Sequence, residues 1–249
     1  MNWVTRVLAT LWGLFVWLAF GVAVLLSLIV VLIVPSAERR QKFVTWAARM
    51  TFVLPRFEVH RRGLDNLPTD NCIVVANHAS YLDGVLLKGY LPWRFNFVIK
   101  GEMRDFAPAH FLLRRGGSRF VERTDVRGSS RDARQIVKAA QSGESLGFFP
   151  EGTFQADPGI LRFRPGAFVA AKKGDLPVVP IAIRGSRYVL PAGRLLPRRG
   201  PLHIDILPAI APGDAEFETS RGLAEAARQR ILAVVDEPDL RDESAPPYS

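Results

Sequence analysis

Hydrophobic positions fall into three regimes along this chain. Positions 7–34 contain no charged residue, and these 28 residues would form a helix about 42 Å long, against about 30 Å for a bilayer's hydrocarbon core. After Pro35, Ser36 can cap a second helix in which Arg39, Arg40, Lys42 and Arg49 mix with Phe43, Trp46, Met50 and Phe52, the pattern of an amphipathic, surface-bound segment. From Arg56 onward short β-rich runs alternate with helical ones. The runs predict strands at 57–60, 73–76, 95–99, 118–121, 146–149, 178–183 and 203–207, with Pro180 at a bulge or an edge. Helices are predicted at 129–141, 168–173 and 221–235.

This order of elements gives an α/β class: a single domain with a mostly β central sheet flanked by helices, preceded by an N-terminal membrane-binding helix pair. The expected division is an anchor at 1–54, a catalytic domain at 55–235 and a mobile acidic tail at 236–249. A cleavable signal peptide fits poorly, because its apolar region usually runs about 7 to 15 residues.

Charge narrows the partners. The net charge is +9, and only Arg6 lies ahead of Pro35, so the basic excess follows the apolar run. The positive-inside rule then places the catalytic domain on the cytoplasmic side of an inner or cytoplasmic membrane. A basic domain suits anionic lipid head groups or phosphorylated metabolites. No zinc-ligand spacing, RNP-like aromatic run or helix-turn-helix pattern supports nucleic acid as a partner. Cys72 is the single cysteine, which excludes an internal disulfide framework, and its place beside an apolar strand suits a buried thiol.

Two clusters carry candidate chemistry. His78 and Asp83 are five residues apart, too far around a regular helix to meet. They meet if His78 occupies the turn leaving the strand and Asp83 the first turn of the next helix. Ser80-Tyr81-Leu82-Asp83 is equally a capping box, in which Asp83 reaches back to the cap. About seventy residues on, Phe149-Pro150-Glu151-Gly152-Thr153 follows another strand. Open α/β sheets bind ligands at the carboxyl ends of their strands, so both clusters would face one crevice.

Together with Lys100-Gly101-Glu102-Met103, the run from Gly117 to Arg123 and Val179-Pro180-Ile181, the Asn77-His78-x4-Asp83 and Phe149 to Thr153 blocks make the chain resemble the glycerolipid acyltransferases. Best known in that family are the 1-acylglycerol-3-phosphate acyltransferases. The resemblance implies transfer of a fatty acyl group from acyl-CoA or acyl carrier protein to a lysophospholipid hydroxyl, with no metal and no cofactor beyond that co-substrate. Physical chemistry agrees that an imidazole suits removal of the hydroxyl proton during attack. His78 is then the base and Asp83 orients it. Without a Gly-x-Ser-x-Gly elbow, direct transfer is favoured over an acyl-enzyme. By resemblance Lys100 and Arg123 hold the acceptor phosphate, while Asn77, Glu151, Gly152 and Thr153 complete the acceptor site. His60, His110 and His203 read as structural or surface residues.

In one respect the chain departs from the family. Many members continue Glu-Gly-Thr with Arg-Ser, whereas Phe154-Gln155 stands here, with Arg162 and Arg164 as candidate replacements further along. Phe154 therefore keeps a non-phosphate acceptor, such as a lyso-ornithine lipid, beside lysophosphatidic acid. From a different class, a catalytically silent lipid-binding protein would keep the same fold.

Overall fold

The computed structural model describes residues 2–121 and 126–241. Helix α1 (Trp3–Ile33) and α2 (Ala37–Val53) form the N-terminal pair, separated by Pro35 and by Ser36, whose Oγ accepts the amide of Arg39 as the expected cap. Then follow β1 (Val59–Arg62), β2 (Ile73–Ala76), α3 (Leu82–Tyr90), β3 (Asn96–Lys100), α4 (Ala107–Arg115), β4 (Arg119–Val121), α5 (Val126–Gln141) and β5 (Leu146–Phe148). The remainder holds β6 (Ile160–Leu161), α6 (Gly166–Gly174), β7 (Val178–Arg184), α7 (Ser186–Val189), β8 (Leu202–Ile206), α8 (Ser220–Leu232) and β9 (Asp239–Leu240).

Among the described residues, seven strands form one sheet in the order β1-β8-β7-β2-β5-β3-β4. All neighbours in it run parallel except β7 and β8. Strand β2 sits at its centre, and its four residues are apolar because both faces are covered. Ile73 and Val75 pack with residues of α5, α6 and α8, whereas Val74 and Ala76 pack with Leu86 and Leu87 of α3 and with Phe52 of α2. Pro180 lies inside the sheet, not at its edge. Between the pairs Ile181↔Ile206 and Val178↔Ile210, two residues (179–180) face three (207–209), so a bulge accommodates the ring that lacks an N–H.

The sequence places a boundary at residue 54, but the packing shows none there. Phe52 is fully enclosed within the core layer shared by α3, β2 and β7. Helix α2 also crosses α3 so closely that a Cβ on Gly89 would lie 2.7 Å from the backbone nitrogen of Arg49. Helix α1 seats a seam of mostly small residues on the protein, Gly13, Val16, Ala19, Ala23, Ser27 and Val31, which allows close approach of helices. Its opposite side leaves Leu11, Leu18, Leu25 and Leu32 exposed.

The tail also differs from expectation. Up to Arg241 it is folded onto the domain, because β9 pairs in parallel with β6 and Glu237 and Asp239 form ion pairs with Arg187 and Arg228. Residues 242–249 lie outside the described region.

Candidate active site

The apolar run of β2 ends at Asn77, which is fully buried. Its side-chain amide donates to the carbonyl of Ile183 at 2.9 Å and accepts that residue's amide hydrogen at 2.7 Å. Asn77 thus fastens the exit of β2 to β7 instead of facing the crevice. The chain then turns, placing His78 just before α3.

Asp83, in the first turn of α3, carries both roles that its spacing allows. Its Oδ2 lies 2.9 Å from Nδ1 of His78 and accepts the amides of Ala79 at 2.7 Å and Ser80 at 2.8 Å. An ionised carboxylate only accepts, so Nδ1 carries the hydrogen and Nε2 is the nitrogen able to take a proton. The aspartate side chain is fully buried, and that of His78 keeps 19% of its surface exposed. Ser80 completes the turn by donating to the carbonyl of Leu190 at 2.6 Å and accepting the amide of Leu82 at 3.1 Å.

Aromatic rings enclose the imidazole. Phe149, at the exit of β5, stacks on it at 4.3 Å and 23°, and Phe154 meets it at 4.5 Å and 55°. The sequence singles out Phe154 as a missing cation, but its contact with the base is visible only in three dimensions.

Glu151 is buried, with both oxygens accepting backbone amides: Oε1 from His78 at 2.7 Å and Oε2 from Leu161 at 2.8 Å. Burial pushes its carboxyl up to about 8, against the pull of those two amides, which favour the charged form. Expected as an acceptor contact, Glu151 is here enclosed, with one backbone amide on each oxygen. It braces the loop of His78 against β6. Gly152 turns the chain at φ +82°, a left-handed geometry that suits glycine, and donates its amide to Phe149 at 3.0 Å. Thr153 follows, half-buried.

Lys100 ends β3, which neighbours β5, which neighbours β2. His78, Glu151 to Thr153 and Lys100 therefore stand at the carboxyl ends of three adjacent parallel strands. Arg123 lies outside the described residues. Arg162 and Arg164 are exposed. His60 of β1 and His203 of β8 stack on each other across the strand pair, and His110 packs on Phe120, so none of the three joins the site. Cys72 is buried, and burial pushes its thiol up to about 12, so it stays un-ionised at neutral pH.

An acyltransferase family model matches residues 58–184, just over half of the 249-residue chain and the span that holds these groups. The chain belongs to the acyltransferase family. Among its relatives in that family is a chloroplastic 1-acyl-sn-glycerol-3-phosphate acyltransferase of Brassica napus, 30% identical over 62% of this chain and 46% of the relative. A lysophosphatidylcholine acyltransferase 1 of Rattus norvegicus is 28% identical over 60% of this chain and 30% of that protein. The chain thus spans about half the length, or less, of these curated relatives. The acyltransferase fold extends over nearly the whole molecule. The crystal structure of the 1-acyl-sn-glycerophosphate acyltransferase PlsC of Thermotoga maritima matches with a TM-score of 0.74 at 25% identity, covering 94% of this chain and 95% of that one.

Proposed function

We propose that this protein transfers a fatty acyl group from an acyl thioester, carried on coenzyme A or acyl carrier protein, to a hydroxyl of a lysophospholipid. Lysophosphatidic acid is the first candidate acceptor and phosphatidic acid the product. The observation that carries the reading is the His78 Nδ1 to Asp83 Oδ2 contact at 2.9 Å, set where the carboxyl ends of β2, β5 and β3 converge.

In this mechanism the acceptor hydroxyl gives its proton to Nε2 of His78 as its oxygen attacks the thioester carbonyl. Asp83 stabilises the imidazolium that forms. The tetrahedral adduct collapses, the carbon–sulfur bond breaks, and the departing thiolate recovers the proton from His78. A un-ionised, buried Cys72 supports direct transfer over a route through a cysteine acyl-enzyme. Lys100, and Arg123 by resemblance, supply the charge for an acceptor phosphate. By resemblance Gly152 and Thr153 help position the acceptor.

The disposition of α1 supports catalysis at the membrane surface. Trp12 donates from Nε1 to the carbonyl of Pro55, and Arg115 donates from Nη2 to the carbonyl of Val31, at 3.1 and 3.0 Å. Those two contacts are separated by about 29 Å of helix, roughly a hydrocarbon thickness. A helix crossing the bilayer with the domain on one side would touch it near one end only. Helix α1 instead lies alongside the domain, with its exposed leucines in one leaflet and the catalytic domain on the cytoplasmic side.

A second acceptor class has its own support. Phe154 covers His78 where many relatives place an arginine, which favours a lysolipid without a bare phosphate, such as a lyso-ornithine lipid. The deciding experiment is thiol release by the purified full chain against a panel of lysolipids. Turnover with lysophosphatidic acid exceeding that with the others is the expected result, and absence of thiol release with every acceptor and both donors would reject the enzymatic reading.

A further inference from the structure

The segment after α8 is folded back onto the loop that leaves the candidate site, through side chains that the proposed chemistry does not use. Arg228, in the middle of α8, is only 2% exposed. Its guanidinium donates from Nε to the carbonyl of Leu161 at 3.1 Å and from Nη2 to that of Ile160 at 2.7 Å. The same group pairs with the carboxylate of Asp239, Nη1 lying 3.0 Å from Oδ2 and Nη2 2.5 Å from Oδ1. That pairing, with added bonds from Arg241, holds the Asp239 carboxyl well below its usual range.

A parallel set of contacts holds the preceding part of the loop. Glu237 accepts the amide of Gly159 at 2.9 Å and pairs with Arg187 at 2.9 and 2.8 Å. Arg187 in turn donates to the carbonyls of Gln155 and Ala156. Ile160 donates its amide to Pro238 at 2.9 Å.

These contacts connect to the base in a short relay. Leu161 gives its carbonyl to Arg228 and its amide to Glu151, and the other oxygen of Glu151 holds the amide of His78. Phe154, against the imidazole, belongs to the same clamped loop. We propose that residues 237–240 are a latch whose Asp239–Arg228 and Glu237–Arg187 pairs are positioning elements of the reaction, setting His78 through Leu161 and Glu151. The functional part of this statement rests on the acyltransferase reading above. A misplacement of about 1 Å can slow catalysis about a hundredfold, so the last strand of the chain matters to a base 161 residues before Asp239 in sequence.

The test compares the intact wild type, Glu151→Gln, Asp239→Asn and the double variant by kcat, by KM for each substrate, and by hydrogen exchange over residues 77–82 and 158–162. Glu237→Gln serves if Asp239→Asn does not fold. Expected are a kcat about tenfold lower with the donor KM within about twofold, faster exchange in both segments, and a double variant no slower than Glu151→Gln alone. Unchanged exchange at 77–82, or kcat losses that multiply in the double variant, overturns the latch. Faster exchange at 77–82 in a protein whose wild type shows no acyl transfer supports the latch and rejects the enzymatic reading instead.

Discussion

The ring of Phe154 stands 4.5 Å from the imidazole of His78, inside the site and beside Tyr81. An apolar ring therefore occupies the approach to the base. Restoring a cation with Phe154→Arg should raise kcat/KM for lysophosphatidic acid over a zwitterionic lysolipid by about tenfold, since a hydrogen bond to a charged group contributes roughly 1.5 to 3 kcal/mol. Equal changes for both acceptors would show that this position does not face the head group.

Removal of the base has a larger consequence. His78→Ala should lower kcat by about 10² to 10⁴ while the thermal transition stays near that of wild type. Asp83→Asn should be severely impaired as well, because a neutral amide does not stabilise an imidazolium as the carboxylate does. Near wild-type turnover in folded His78→Ala would end the mechanism.

Glu151 makes stability depend on pH. Its folded carboxyl titrates near 8 instead of the ordinary 4.5, so between those values the native state keeps a proton that the unfolded chain has lost. Stability relative to Glu151→Gln should accordingly fall as pH rises from about 4.5 to about 8, and level off above that. The difference in Tm between the two proteins in one detergent, followed across this range, checks the sign; a difference that grows with pH contradicts it.

The exposed leucines of α1 should govern membrane binding without governing the fold. Replacing Leu18, Leu25 and Leu32 together by Ser removes side chains each worth roughly 1.5 to 3 kcal/mol when fully buried, so vesicle partitioning should drop by at least about a hundredfold. The Tm in detergent should move little, because these side chains point away from the seam of Ala19, Ala23 and Ser27. Partitioning equal to wild type would exclude α1 as the membrane contact.

By itself the sequence determined whatever depends on neighbours along the chain. The apolar run of β2, the cap at Ser36, the helix pair and the short span from His78 to Asp83 were legible because each rests on local periodicity or on residues at most five apart. Only the tertiary structure decided which polar groups would be enclosed. Asn77 and Glu151 sit in motifs that suggest ligand contact, yet their partners include backbone groups 106 and 73 residues away, and burial obliges such groups to be hydrogen-bonded. The tail from Asp236 looked mobile because it is acidic and Pro-containing, but its carboxylates meet Arg187 and Arg228 across the fold. A charge pair of this kind leaves no periodic trace in sequence. It exists because α8 and the end of the chain are brought beside β6 by the packing of the core.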